Sequence, residues 1–179
     1  MSGLPTFSTD QLRHVERAVS VSEELVSNAY KMSTSQWLRR KYDVRTLAKL
    51  EPHEVVHGPF AQIVRYEGQR KDSMLGSMAY DFYNICLQDH TILAALAQRS
   101  DIRLFPFVLY ILVHELIHIV RFSTFQQHFE ASPEERILEE QRVHARTREI
   151  LSKLQTHGLK EALDHFDRWC TPFENLSDR

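Results

Sequence analysis

Residues 104 to 120 read Leu104-Phe105-Pro106-Phe107-Val108-Leu109-Tyr110-Ile111-Leu112-Val113-His114-Glu115-Leu116-Ile117-His118-Ile119-Val120, the most apolar stretch of the chain. Apolar side chains fall on every face, and the ionisable residues His114, Glu115 and His118 cluster in its second half. A membrane span is the obvious competitor, but 17 residues is at the short limit for crossing a bilayer, and no second apolar span exists to shelter those three groups. The stretch is read instead as the central buried helix of a globular domain, hydrophobic all round except for one narrow polar stripe.

Working outward, Ser132-Pro133-Glu134-Glu135 supplies an N-cap, a proline at the first helical position and a capping-box glutamate. The helix they start is expected to run to about Leu154, before His157-Gly158. A last amphipathic helix follows through Leu159, Ala162, Leu163, Phe166 and Trp169 and ends by Pro172. Upstream, the N-cap cluster Ser8-Thr9-Asp10 and the spacing of Leu12, Val15, Val19, Leu25, Val26 and Ala29 predict a helix over about 10 to 31. A second start at Ser33-Thr34-Ser35, followed by Trp37, Leu38, Tyr42, Val44, Leu47 and Leu50, predicts the other arm of a helical hairpin, closed by Pro52. Turn residues bracket Phe60 to Tyr66, a strand. Residues 79 to 88 mix aromatic and β-branched side chains; taking Asp89 as the N-cap of a helix over 90 to 99 makes them a second strand. The expected fold is α+β: one mostly helical domain over 1 to 179, with a small β-sheet beside the central helix.

Composition narrows the function classes. A formal net charge of -2 offers no field to attract nucleic acid, and the short basic runs Arg39-Arg40-Lys41 and Arg70-Lys71 read as solvated surface. Cys86 and Cys170 form no CxxC pair, which points to a reducing compartment, and the first residues contain no signal-peptide core. A cytoplasmic protein that binds neither nucleic acid nor membrane is expected. The aromatic set Phe105, Phe107, Tyr110 and Phe122 reads as core.

The 10 histidines are the anomaly. His114-Glu115-Leu116-Ile117-His118 is an HExxH pattern, and on a helix its two histidines lie one above the other on the same face, where they can grip one metal ion. Glu115 then projects beside the ion, placed to take a proton from water. Burying these groups inside an apolar run costs several kcal/mol unless they are paired or metal-bound, so the setting adds to the pattern. Structural core histidines are the alternative.

At these residues the chain resembles the zincin-like metallopeptidases, over about 105 to 150. The metzincin extension is absent, because Arg121 and Thr124 occupy its glycine and third-histidine slots. The resemblance is to the gluzincins, which take a third ligand from a glutamate on a following helix, often in an ExxxD pattern. On the helix after Ser132, the residues Ile137, Glu140, His144, Thr147, Leu151 and Leu154 make one continuous stripe at alternating spacings of 3 and 4. Glu140 matches the gluzincin ligand, and His144 stands in the aspartate slot, as an outer partner or an alternative ligand. Glu139 serves instead if the helix phase differs by about 100°. The resemblance implies one Zn2+ per chain, held by His114, His118 and Glu140, with Glu115 as general base and a peptide or protein as substrate. It also implies a substrate lying along an edge strand, for which 60 to 66 and 80 to 88 are the candidates. Tyr80, Tyr83, His128 and His157 are candidates for steadying the oxyanion.

Two other readings stay open. Glu115-Leu116-Ile117-His118 and Glu54-Val55-Val56-His57 are two ExxH pairs, the requirement of a di-iron helical bundle, although Pro52 and Gly58-Pro59 hem the second. The domain could also hold metal without turnover, as a regulatory or protein-interaction module.

Overall fold

In a computed structural model, residues 3–33, 35–36, 42–69, 79–124 and 130–169 are described; for 67–69, 79–81 and 169 only the backbone is. Helix α1 (Thr9–Tyr30) opens on a capping box in which Gln11 N–H donates to Ser8 Oγ and Ser8 N–H to Gln11 Oε1, and it ends on Lys31 in the left-handed region. Strands β1 (Tyr42–Arg45), β2 (Ala61–Gln69) and β3 (Ala79–Leu87) follow, then α2 (Asp89–Gln98), α3 (Leu104–Ser123), α4 (Pro133–Leu151) and α5 (Leu159–Trp169). The fold is α+β, as the sequence indicates.

The sheet is mixed, in the order β1-β3-β2: β1 runs parallel to β3, with Tyr42 opposite Tyr83, and β2 runs antiparallel, with Ile63 opposite Ile85. Residues 35 and 36 are helical, as the start at Ser33-Thr34-Ser35 predicts, but strand β1 corrects the continuation of that helix expected over 42 to 50. Tyr42-Asp43-Val44-Arg45 pairs with β3, and Leu47–Lys49 and Pro52–Glu54 are single 3-10 turns. A four-residue strand takes its identity from a distant partner, which helical spacing of nearby apolar residues does not report. Residues 37 to 41 lie outside the described residues.

Both faces of β3 are buried. Tyr83, Ile85 and Leu87 alternate with Asn84 and Cys86, all nearly inaccessible. The second face is covered by the segment between β1 and β2, which buried polar side chains staple down. Glu54 accepts from Tyr66 Oη at 2.7 Å, Asn84 Nδ2 at 3.0 Å and Glu51 N–H at 2.9 Å. Gln88 Oε1 accepts from Val56 N–H while its Nε2 donates to the Glu54 carbonyl. Asp89 is not the N-cap of α2, a position held by Gln88; its carboxylate accepts from Phe7 N–H and Leu47 N–H, each at 2.9 Å.

Helix α3 runs through the centre. Residues Pro106 to Val113 and Leu116 to Val120 are all buried, against α1, α4, α5 and the sheet. By length and composition it passes for a membrane-crossing segment, with mean hydropathy 1.6, yet 72% of that window is already covered by the rest of the protein. Phe107 links the layers, with its ring 5.0 Å from Phe60 on the sheet side and 4.8 Å from Phe166 of α5. Helix α4 carries the predicted capping box and proline and stops at Leu151. Gly158, at φ 81°, begins the turn into α5, and a side chain there would press on Arg103 Cδ at 3.1 Å.

Candidate metal centre

Helices α3 and α4 pack antiparallel, since Arg121 meets Glu139, His114 and His118 meet Glu140, and Tyr110 meets His144. The polar stripe of α3 thereby faces one edge of α4. Along α3, Tyr110, His114, His118 and Phe122 follow at intervals of four, their rings one above the other. Tyr110 lies 5.8 Å from His114, His114 4.9 Å from His118, and His118 6.0 Å from Phe122. That column fixes the direction of both imidazoles.

Three donor side chains converge. His114 Nε2 is 3.0 Å from Glu140 Oε2, His118 Nε2 is 3.1 Å from Glu140 Oε1, and the two Nε2 atoms are 3.2 Å apart. Among the described residues, His114, His118 and Glu140 are the group of three or more such side chains able to hold a metal ion. The residues fit one. Ligands about 2.0–2.1 Å from a tetrahedral ion stand about 3.3–3.4 Å from one another, and the observed separations are within a few tenths of that, with Glu140 turning one oxygen to each histidine. Two nitrogen ligands and one carboxylate oxygen suit zinc and its first-row neighbours better than magnesium or calcium.

The electrostatics agree with a tight cluster. Burial works to raise the Glu140 carboxyl, but hydrogen bonds from His114 and His118, and their charge, outweigh it and hold the group far below the usual carboxylate range. Burial pushes the Glu115 carboxyl upward, against the pull of the same two histidines. Glu115 is half-buried one residue along from His114, with no hydrogen-bond partner among the described residues. His118 is 6% exposed and Glu140 is 45% exposed, so the cluster is closed on the α3 side and reached from solvent past Glu140.

Two residues considered from sequence lie outside the donor group. Glu139 is buried and both its oxygens are taken by Arg121, Nε to Oε1 and Nη2 to Oε2 at 3.1 Å, with Arg142 Nη1 at 3.5 Å. His144 Nδ1 faces the Tyr110 hydroxyl, and its Nε2 lies 2.9 Å from Asp167 Oδ1 on α5; Asp167 also pairs with Arg148. Burial lowers the His144 pKa, and Asp167 opposes the shift. The α4 stripe is also displaced from the expected one: Glu139, Val143, Thr147, Ile150 and Leu151 are buried, whereas Ile137 is exposed and Glu140 sits on the flank.

Tyr110, Arg121 and Asp167 are the participants that sequence reasoning missed. Tyr110 and Arg121 had a signal, one turn before His114 and one turn after His118. Asp167 had none. Of the oxyanion candidates, Tyr83 is buried with its ring 6.0 Å from Phe122 and His157 is exposed at the turn before α5. The Tyr80 side chain and His128 lie outside the described residues. Of the strand candidates, β3 is central and offers no free edge, whereas β2 is an edge strand. The second ExxH pair is engaged elsewhere: Glu54 staples the sheet, and the His57 ring meets His90 edge-on at 5.1 Å. A shallow concavity lined by Arg148, Leu154, Leu159 and Lys160 includes none of the three donors. No family model matches the chain, and neither the curated proteins nor the solved structures match it.

Proposed function

We propose that the protein is a zinc-dependent metallopeptidase, in the manner of the gluzincins its HExxH helix resembles. The observation that carries this is the donor cluster of His114, His118 and Glu140, with Glu115 beside it and without a hydrogen-bond partner among the described residues. Zinc held there supplies a Lewis acid and water of lowered pKa. His114 and His118 bind as neutral imidazoles whose direction the ring column sets. Glu140 adds the third donor from the solvent side, leaving approach open to an extended peptide. Glu115 takes a proton from the attacking water at its carboxylate and returns it to the leaving amine.

The test is metal content and turnover together. The purified chain should carry one zinc by elemental analysis and should cleave an unstructured protein substrate, and Glu115→Gln should keep the zinc while losing turnover. Persistent cleavage by Glu115→Gln removes the general base. A chain that takes no metal when zinc is supplied removes the whole reading, and a metal-bound chain without turnover on any peptide leaves a regulatory metal-binding module.

A further inference from the structure

The structure assigns to Arg121 a positioning role, which rests on the proposed metal reading: it withholds Glu139 from the donor cluster and so fixes Glu140 as the carboxylate that joins His114 and His118. Glu139 and Glu140 are consecutive on α4, about 100° apart around its axis. Both side chains are long enough to seek a cation on the facing helix. A rotation of α4 by that angle, or a change of side-chain direction, would exchange them. What distinguishes them is the partner on α3.

Arg121 lies one turn beyond His118, opposite Glu139, and its guanidinium engages both carboxylate oxygens. The planar fork matches a carboxylate in two places at once, so it fixes direction as well as charge. The Glu139 side chain is 6% exposed and that of Arg121 19%, so water competes little for either. Among the described residues, Glu140, one residue on, makes ion pairs with the two histidines alone. The pair thus sets the rotation of α4 against α3 at the turn where the third donor enters. Arg121 does not touch the donor atoms and is a positioning residue, not a catalytic one.

The experiment measures zinc affinity by competition with a chromophoric chelator, with far-UV circular dichroism as a check on folding. It compares the wild-type chain, Glu140→Ala, Arg121→Ala/Glu140→Ala, and the triple variant that adds Glu139→Ala. Glu140→Ala should weaken zinc binding beyond the about 10–100-fold typical of a lost outer partner, because Arg121 keeps Glu139 away. Removing Arg121 as well leaves Glu139 only the long 3.5 Å pairing with the exposed Arg142 among the described residues and should restore at least about tenfold of the affinity, a gain the triple variant loses again. A merely structural ion pair predicts the opposite, a further loss in the double variant. If the double variant does not fold, Arg121→Lys/Glu140→Ala, which keeps the charge but not the fork, should show a smaller recovery in the same direction. A folded double variant that binds zinc no better than Glu140→Ala overturns the role of Arg121 while leaving the metal site standing. A wild-type chain that binds no zinc overturns both.

Discussion

Zinc should stabilise the folded chain by an amount that depends on the three donors being assembled beforehand. Their atoms already lie 3.0 to 3.2 Å apart across α3 and α4, so binding need not first order a loop or bring helices together. Nearly all of the binding free energy then appears as stability. At free zinc about one hundred times the dissociation constant, a ligand that binds only the native state adds about 2.7 kcal/mol. For a chain of 179 residues, each kcal/mol moves the melting temperature by about 2–4 °C. The expected rise is therefore about 5–11 °C, read by differential scanning calorimetry of metal-stripped protein as zinc is added. His118→Ala removes two of the three edges of the triangle and should abolish most of that rise, whereas Glu115→Gln, which removes no donor, should keep it. An equal rise in His118→Ala, or none in the wild-type chain, refutes the reasoning.

Glu54→Ala strands the buried Asn84 amide and removes the part-buried hydrogen bonds from Glu51 N–H and Tyr66 Oη, and should cost about 2–6 kcal/mol in urea unfolding while leaving zinc content unchanged. Although burial raises it, hydrogen bonding holds the Glu54 carboxyl at about 2, below the ordinary 4.5. Its folded pKa is depressed, so this stabilisation is fully present above pH 4.5 and is lost as the pH falls toward 2. Urea midpoints of zinc-free protein between pH 6 and 3 should fall more steeply for the wild-type chain than for Glu54→Gln. The buried Cys86 thiol, which burial and then Glu54 push up to about 12, should resist a thiol-specific disulfide reagent at pH 8 in native Cys170→Ser protein and react on unfolding; prompt reaction in the native state would contradict its placement.

Much of this molecule is legible before folding because its helices carry their own boundaries. The N-cap cluster at Ser8, the capping box at Ser132 with the proline at 133, the apolar run before His114 and the amphipathic spacing from Leu159 are local signals, and α1, α3, α4 and α5 lie where they indicate. The HExxH spacing likewise gives two of the three donors, because residues four apart on a helix must share a face. What was not legible depends on partners far away in sequence. Tyr42–Arg45 is a strand only because β3 is beside it. Asp89 has the composition of a helix cap, but its carboxylate is drawn to Phe7 and Leu47. The choice between Glu139 and Glu140 turns on an angle of about 100°, and periodicity over a single helix has that same uncertainty. Arg121 on the facing helix resolves it.

The placement of α1 against α3 has a consequence for synthesis. The buried face of α1, Val15, Ala18, Ser22 and Val26, finds its principal partner in Leu104–Ser123, with the whole sheet made in between. At about 5–20 residues per second, that partner emerges several seconds to tens of seconds after α1 does. The nascent chain therefore carries α1 with its apolar face unpartnered throughout the interval, while α3 and α4 can pair as soon as the second leaves the ribosome. Chaperone engagement should accordingly concentrate on the first hundred residues rather than on the α3–α4 hairpin.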